Sequence, residues 1–123
     1  MTSHVELAEA GFDPAARLAA FTASLDGEGA LVSFTGHARG AAKDGRPVAA
    51  LVLESYRGVT LASMQSIAAD AHARFNITRS HVVHRCGAIR PGEAIVFVAT
   101  ASAHRRAAFE AADYLMDRDR KSV

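Results

Sequence analysis

Cysteine is nearly absent from this 123-residue sequence: Cys86 stands alone, which excludes an internal disulfide framework. No apolar run approaches the length that spans a bilayer. The N-terminal stretch carries Glu6 and Glu9 and lacks a long apolar core, so it does not read as a signal peptide. A cytoplasmic address is therefore expected. Charge of one sign is also lacking. The formal net charge is +1, so no broad field favours nucleic acid or an acidic membrane surface, and any cationic site must be local. Repeats and low-complexity linkers are missing, and the length suits one domain with a modest core. There is no HExxH or paired-cysteine pattern, and His81 and His84, three apart on a strand, face opposite ways. A metal centre is therefore not expected. GxSxG, P-loop and dinucleotide fingerprints are missing too, and no cofactor is expected.

What is present is an ordinary soluble composition, 50% hydrophobic and 22% charged. Phe12 to Phe21 reads as a short helix: Asp13 suits the N-cap, Pro14 the first helical position, and Leu18 and Phe21 share a face. Asp26-Gly27-Glu28-Gly29 makes a turn, and Ala30 to Thr35 is a β-rich run that stops at Gly36. Residues 37–47 form a polar loop, and Val48 to Tyr56 a second strand. Thr60 is expected to cap a helix whose apolar positions Leu61, Met64, Ile67, Ala68, Ala71 and Phe75 recur at helical spacing. His81 to Cys86 is a third strand, Ile89 to Glu93 a turn, and Ala94 to Ala101 a fourth strand. Ser102 to Asp117 returns to helix, with alanines, Phe109, Leu115 and Met116 on its buried face. The order α-β-β-α-β-β-α predicts an α+β fold over residues 1–123 with a largely antiparallel sheet.

Three segments carry chemistry. In Ser102-Ala103-His104-Arg105-Arg106, a buried strand runs straight into a helix. A first helical turn presents unpaired N–H groups and the positive end of the macrodipole, and it normally attracts acidic residues. A histidine and two arginines stand there instead. That suits a phosphate or carboxylate site, or else a solvated helix start; spacing leaves both open. In Phe34-Thr35-Gly36-His37-Ala38-Arg39-Gly40, an arginine follows a strand end in a glycine-bearing loop, where it is suited to bidentate contact with phosphate oxygens. In His84 to Glu93, Gly87 and the Pro91-Gly92 pair serve a turn, and a structural role is expected for the segment, the alternative being that His84 or Arg85 reaches a subunit interface. Cys86 reads as a small buried hydrophobe rather than a nucleophile.

Read together, FTGHARG, LESYRGVT, VVHRCGAIRPGE and SAHRRAAFEAADYLMD resemble the large (catalytic) subunit of molybdopterin synthase, in the same order and at similar separations, over roughly residues 29–117. The resemblance implies an α/β-hammerhead fold with an added β element. It implies transfer of sulfur from a small ubiquitin-like carrier, thiocarboxylated at its C-terminal glycine, to cyclic pyranopterin monophosphate. The product is the molybdopterin dithiolene. It also implies a homodimer core with one carrier at each end, a heterotetramer.

Carried over by motif, Arg39 matches the family's pocket arginine. His104 and Arg105 match a His-Arg pair that binds the pterin phosphate or a nearby anion across the dimer, and Phe34 and Met116 match pocket-lining residues. Two departures stand out. The family's first functional lysine falls on Arg120 in an ungapped match and on Lys121 with one inserted residue. The Pro-aromatic-Trp-Lys-Lys/Arg-Glu segment that follows in the family has no counterpart here, where tryptophan is absent. An arginine is a poor general acid near neutral pH. The alternative expectation is thus a shortened, catalytically impaired relative that binds carrier and anions as a dimer. Arg57 and Val59, where the family commonly has Pro and Met, read as drift in a loop.

Overall fold

The computed structural model describes residues 2–39, 51–53 and 57–122, without the side chains of 51–59 and 119–122. Most of the expected polar loop and second strand, and the side chains of Arg120 and Lys121, lie outside the described residues.

Among the described residues nine elements follow in order: β1 (Thr2–Ala8), α1 (Pro14–Ala23), β2 (Ala30–His37), β3 (Leu51–Leu53), α2 (Arg57–Arg74), β4 (Arg79–Arg85), β5 (Gly87–Ile89), β6 (Ala94–Ser102) and α3 (Arg105–Ser122). Four strands form a sheet in the order β1-β4-β6-β2, and β3 pairs with β5 in a separate two-stranded sheet. That small sheet is the added β element. All pairs are antiparallel except β1 with β4, which is parallel.

The alternation of side chains along the strands builds two layers. Val82 and Val98 point toward α2 and α3, where they meet Met64, Ala68, Ala71, Ala111, Ala112 and Leu115. Val83, Phe97, Ala99 and Ala101 point the other way, onto Phe21 of α1. Strand β6 is covered on both faces, which explains its nearly unbroken apolar run. α3 lies over β6 and the edge strand β2, and α2 over β1. The two helices are pinned by Tyr114, which donates to Asp70 and is flanked by the guanidinium groups of Arg74 and Arg118, each 5.3 Å from its ring centre.

Local signals set several boundaries as expected. Asp13 caps α1, its carboxylate accepting the Ala15 N–H at 3.0 Å, and Pro14 takes the first helical position. Three readings need correction. α2 begins at Arg57, so Thr60 sits buried inside its first turn rather than capping it. β1 has no counterpart among the expected elements: Val5 and Leu7 alternate with His4 and Glu6, and so short an apolar alternation at an edge gives little strand signal. β5 (Gly87–Ile89) takes the first residue of the expected turn, which begins one residue later, at Arg90.

Behind α1, the His81 ring stacks on His4 at 4.4 Å and meets Phe97 and Phe21 edge-on. Arg17 Nη1 lies 3.4 Å from its Nε2 and makes a two-pronged pair with Glu6 at 2.7 and 2.9 Å. Burial, then the nearby charges of His4 and Arg17, hold the His81 pKa at about 4. The hydrogen bonds from Arg17 hold Glu6 at about 2. Both folded values lie below the unfolded ones, so the unfolded chain binds more protons and stability declines as pH is lowered. The His81 contribution is lost between about pH 6.5 and 4, and that of Glu6 between about 4.5 and 2. His81→Phe is therefore expected to flatten the urea midpoint between pH 6.5 and 4 while leaving the fall below 4.5 in place. An unchanged slope in the upper window would contradict this.

Candidate active site

One group of side chains gathers where β2 ends. Phe34 projects from the same face of β2 as Val32, toward the α3 layer, and is 40% exposed. The Phe-x-Gly spacing has a steric cause. A Cβ on Gly36 would fall 2.9 Å from Val96 Cγ1 and 3.4 Å from the Phe34 ring, so only glycine lets both close over the strand. A β-bulge between Gly36 and His37 then re-aims the chain. The buried Ala38 is fixed by backbone bonds in both directions, its N–H donating to Glu93 C=O at 2.9 Å and its C=O accepting from Gly92 N–H at 2.9 Å. Arg39 follows immediately and is exposed. The receiving turn closes with Glu93 N–H on Arg90 C=O at 3.1 Å. Pro91 and Gly92 sit at its centre, and the positive φ of Gly92 (88°) is what a type II turn requires there.

A second group lies where β6 ends. Ser102 Oγ donates to Asn76 C=O at 2.7 Å and accepts from His104 N–H at 3.3 Å, holding the turn into α3. A Cβ on Gly29 would stand 2.9 Å from Ala103 C=O, so the segment entering the helix passes directly over a glycine. His104, Arg105 and Arg106 are exposed, and the first turn of α3 contains no acidic residue. The basic residues therefore stand at the positive end of the helix with no anionic side chain in that turn to offset them.

The strand register separates the two groups. Ala30 pairs with Ser102 and His37 with Ala94, so Arg39 and the His104–Arg105 pair lie at opposite ends of β2. At about 3.3 Å per residue those ends are roughly 23 Å apart. α3 starts at the far end and runs back over β6, with the Thr100 hydroxyl donating to Ala108 C=O at 2.7 Å. At about 1.5 Å per residue, Met116 lies roughly 16 Å along that return, toward Phe34 and Arg39. The last turns, holding Arg120 and Lys121, continue the same way along the backbone. Arg39 thus lies at one end of β2 and the His104–Arg105 pair at the other, with Phe34 and Met116 between them.

Phe109 departs from expectation. It was assigned to the buried face of the last helix, yet it is 60% exposed, because Ala108, Ala111, Ala112 and Leu115 take the core-facing positions. At about 100° per residue, Arg105, Phe109 and Met116 form one stripe on the side of α3 away from Tyr114. The clue in the sequence was a large aromatic standing beside a stripe of alanines rather than on it. Among the described residues, no three His, Cys, Asp or Glu side chains are grouped to hold a metal ion, and no helix is long and apolar enough to cross a membrane.

Residues 7–122 match the family model described as MoaE protein. A molybdopterin synthase catalytic subunit from Caulobacter vibrioides is 51% identical over 116 residues, covering 92% of this chain and 73% of the relative. The solved structure of a molybdopterin biosynthesis MoaE protein from Burkholderia ambifaria superposes with a TM-score of 0.83 at 35% identity, covering 94% of this chain and 75% of that one. A complex of subunits 1 and 2 of the molybdopterin-converting factor from Helicobacter pylori shares the fold, with a TM-score of 0.75 at 16% identity over 92% of this chain and 75% of that one.

Proposed function

The chain belongs to the MoaE protein family, and we propose that it is the catalytic subunit of a molybdopterin synthase. In this reading it moves sulfur from the C-terminal thiocarboxylate of a small ubiquitin-like carrier onto cyclic pyranopterin monophosphate, forming the dithiolene of molybdopterin. The observation that carries the reading is the likeness to a catalytic subunit over most of the chain, which favours an enzyme over a non-catalytic binding module. A small partner subunit also fits the two-subunit complex known for the Helicobacter pylori protein of the same fold.

The chemistry we assign to each residue comes from its match to the family's motifs, and its placement is compatible with it. A phosphorylated substrate whose ring opens needs its charges held in place. Arg39 offers a planar donor pair at the end of β2. His104 and Arg105 offer donors reinforced by the start of α3. Arg39 and the His104–Arg105 pair lie at opposite ends of β2, and we assign the complete pocket to two protomers: Phe34, Arg39 and Met116 from one, His104 and Arg105 from the other. A homodimer with a carrier at each outer end satisfies that need, giving a heterotetramer. The carrier's acyl terminus would enter beside the last turns of α3, where Arg120 and Lys121 are candidates to stabilise the intermediates.

The test is single-turnover conversion of cyclic pyranopterin monophosphate with thiocarboxylated carrier, run beside Arg105→Ala. The unaltered chain should convert substrate. Loss of one charge-assisted bidentate contact should weaken pterin binding about 10- to 100-fold and leave carrier affinity nearly unchanged, as read by calorimetry. Equal weakening of both would remove Arg105 from the substrate site.

A further inference from the structure

The support beneath Arg39 depends on a group to which the proposed chemistry gives no task. Arg85, the last residue of β4, is 4% exposed. A guanidinium buried to this degree carries a desolvation cost that an apolar side chain of similar size would avoid. Its Nη2 donates to Ala88 C=O at 2.9 Å and its Nη1 lies 3.4 Å from Glu93 Oε2, while its Nε is buried without a partner. What this arrangement adds is a hold on the turn that follows. Glu93 divides its carboxylate, Oε1 accepting the Arg90 N–H at 2.7 Å and Oε2 facing Arg85. The Arg90 amide first, and the Arg85 charge after it, hold Glu93 below the usual carboxylate range. Gly11 closes over the pair: a Cβ there would stand 3.2 Å from Glu93 Oε2 and 3.7 Å from Arg85 Nη1. The backbone of the same turn grips Ala38 from both sides, through Gly92 N–H and Glu93 C=O. Arg85 is thereby linked to the residue from which Arg39 departs by one continuous set of bonds.

We infer that Arg85, acting through Glu93 and the Arg90–Glu93 turn, is a positioning residue for Arg39. The inference rests on Arg39 being a substrate-holding group, as proposed above. Arg85 does not itself reach the substrate. It sets where the Arg39 guanidinium is presented, and misplacing such a group by about 1 Å costs up to about 10²-fold in rate.

The experiment uses the chain with its thiocarboxylated carrier and four variants: Arg85→Met, Glu93→Gln, Arg39→Ala and the Arg85→Met/Arg39→Ala double. Single-turnover rate, carrier affinity and hydrogen exchange at the Ala38 amide are measured on each. Arg85→Met should slow turnover roughly 10- to 100-fold, leave carrier affinity unchanged and speed exchange at Ala38. In the Arg39→Ala background it should add almost nothing, because its effect passes through Arg39. Glu93→Gln, at a partly exposed site, should act in the same direction more weakly, and it carries the same measurements should Arg85→Met not fold. Losses that multiply in the double variant, or Ala38 exchange that does not change, overturn the inference. If the unaltered chain shows no turnover, the functional reading fails, and exchange at Ala38 alone then decides whether the brace exists.

Discussion

An equimolar mixture of Arg39→Ala and Arg105→Ala protomers should recover about a quarter of the unaltered turnover, although each variant alone is expected to lose at least about tenfold. The reason lies in the register of β2 on β6, which puts Arg39 and Arg105 at opposite ends of β2. If each pocket takes Arg39 from one protomer and Arg105 from the other, a homodimer of either variant has two damaged pockets. In a mixed dimer the losses segregate, so one pocket carries both substitutions and the other neither. Random pairing makes about half the dimers mixed, each with one working pocket of two. Co-expressing the two variants with different affinity tags and assaying the doubly purified dimer raises the expected recovery to about half. A mixed dimer no more active than its parents would show that both arginines serve a pocket within one chain, or that one of them serves none.

Two phenylalanines on adjacent strands should respond in opposite ways to truncation. Phe97 is 1% exposed and lies in the layer under α1, edge-on to His81 at 5.8 Å. Phe97→Ala removes that packing and leaves a cavity beside an uncharged, half-buried imidazole. A cost of about 3–5 kcal/mol is expected, a large part of a typical domain's stability. Phe34 sits on the neighbouring strand with its ring over Gly36, 40% exposed. Phe34→Ala should cost about 1 kcal/mol or less in stability, and its main effect should be on single-turnover rate. Urea unfolding of both variants, read beside turnover, separates the two roles. Similar losses of stability would place Phe34 in the core and remove it from the pocket.

How far these features could be read in advance depended on how local their causes are. The cap at Asp13, the Arg-Pro-Gly-Glu turn and the apolar run of β6 are written in neighbouring residues, and each was legible. β1 was not, because its seven residues are half polar and become a strand only by pairing with β4, far along the chain. Phe109 was placed on the wrong face because helical spacing alone does not say which of two adjacent stripes meets the sheet. At the site, FTGHARG and SAHRR named the residues through their resemblance to a family. That Arg39 and Arg105 stand apart was implied by the resemblance alone; their distance within the chain follows from which strand pairs with which and in what register. Arg85 shows the same limit. Its sequence neighbours marked a turn, but that turn's hold on Ala38 reaches a residue that lies far earlier in the chain.

The parallel pairing of β1 with β4 also has a bearing on synthesis. Thr2 pairs with Arg79, so β1 leaves the ribosome well before its partner and stays unpaired until the residues up to β4 have followed it. Until then Val5, Leu7 and the strand's backbone N–H and C=O groups stay in water. β4 and β6 are much closer in sequence and close the centre of the sheet on their own. β1, made before β4, is thus among the last strands to be placed, and a chain released early would display an unpaired strand of the kind that recruits other chains.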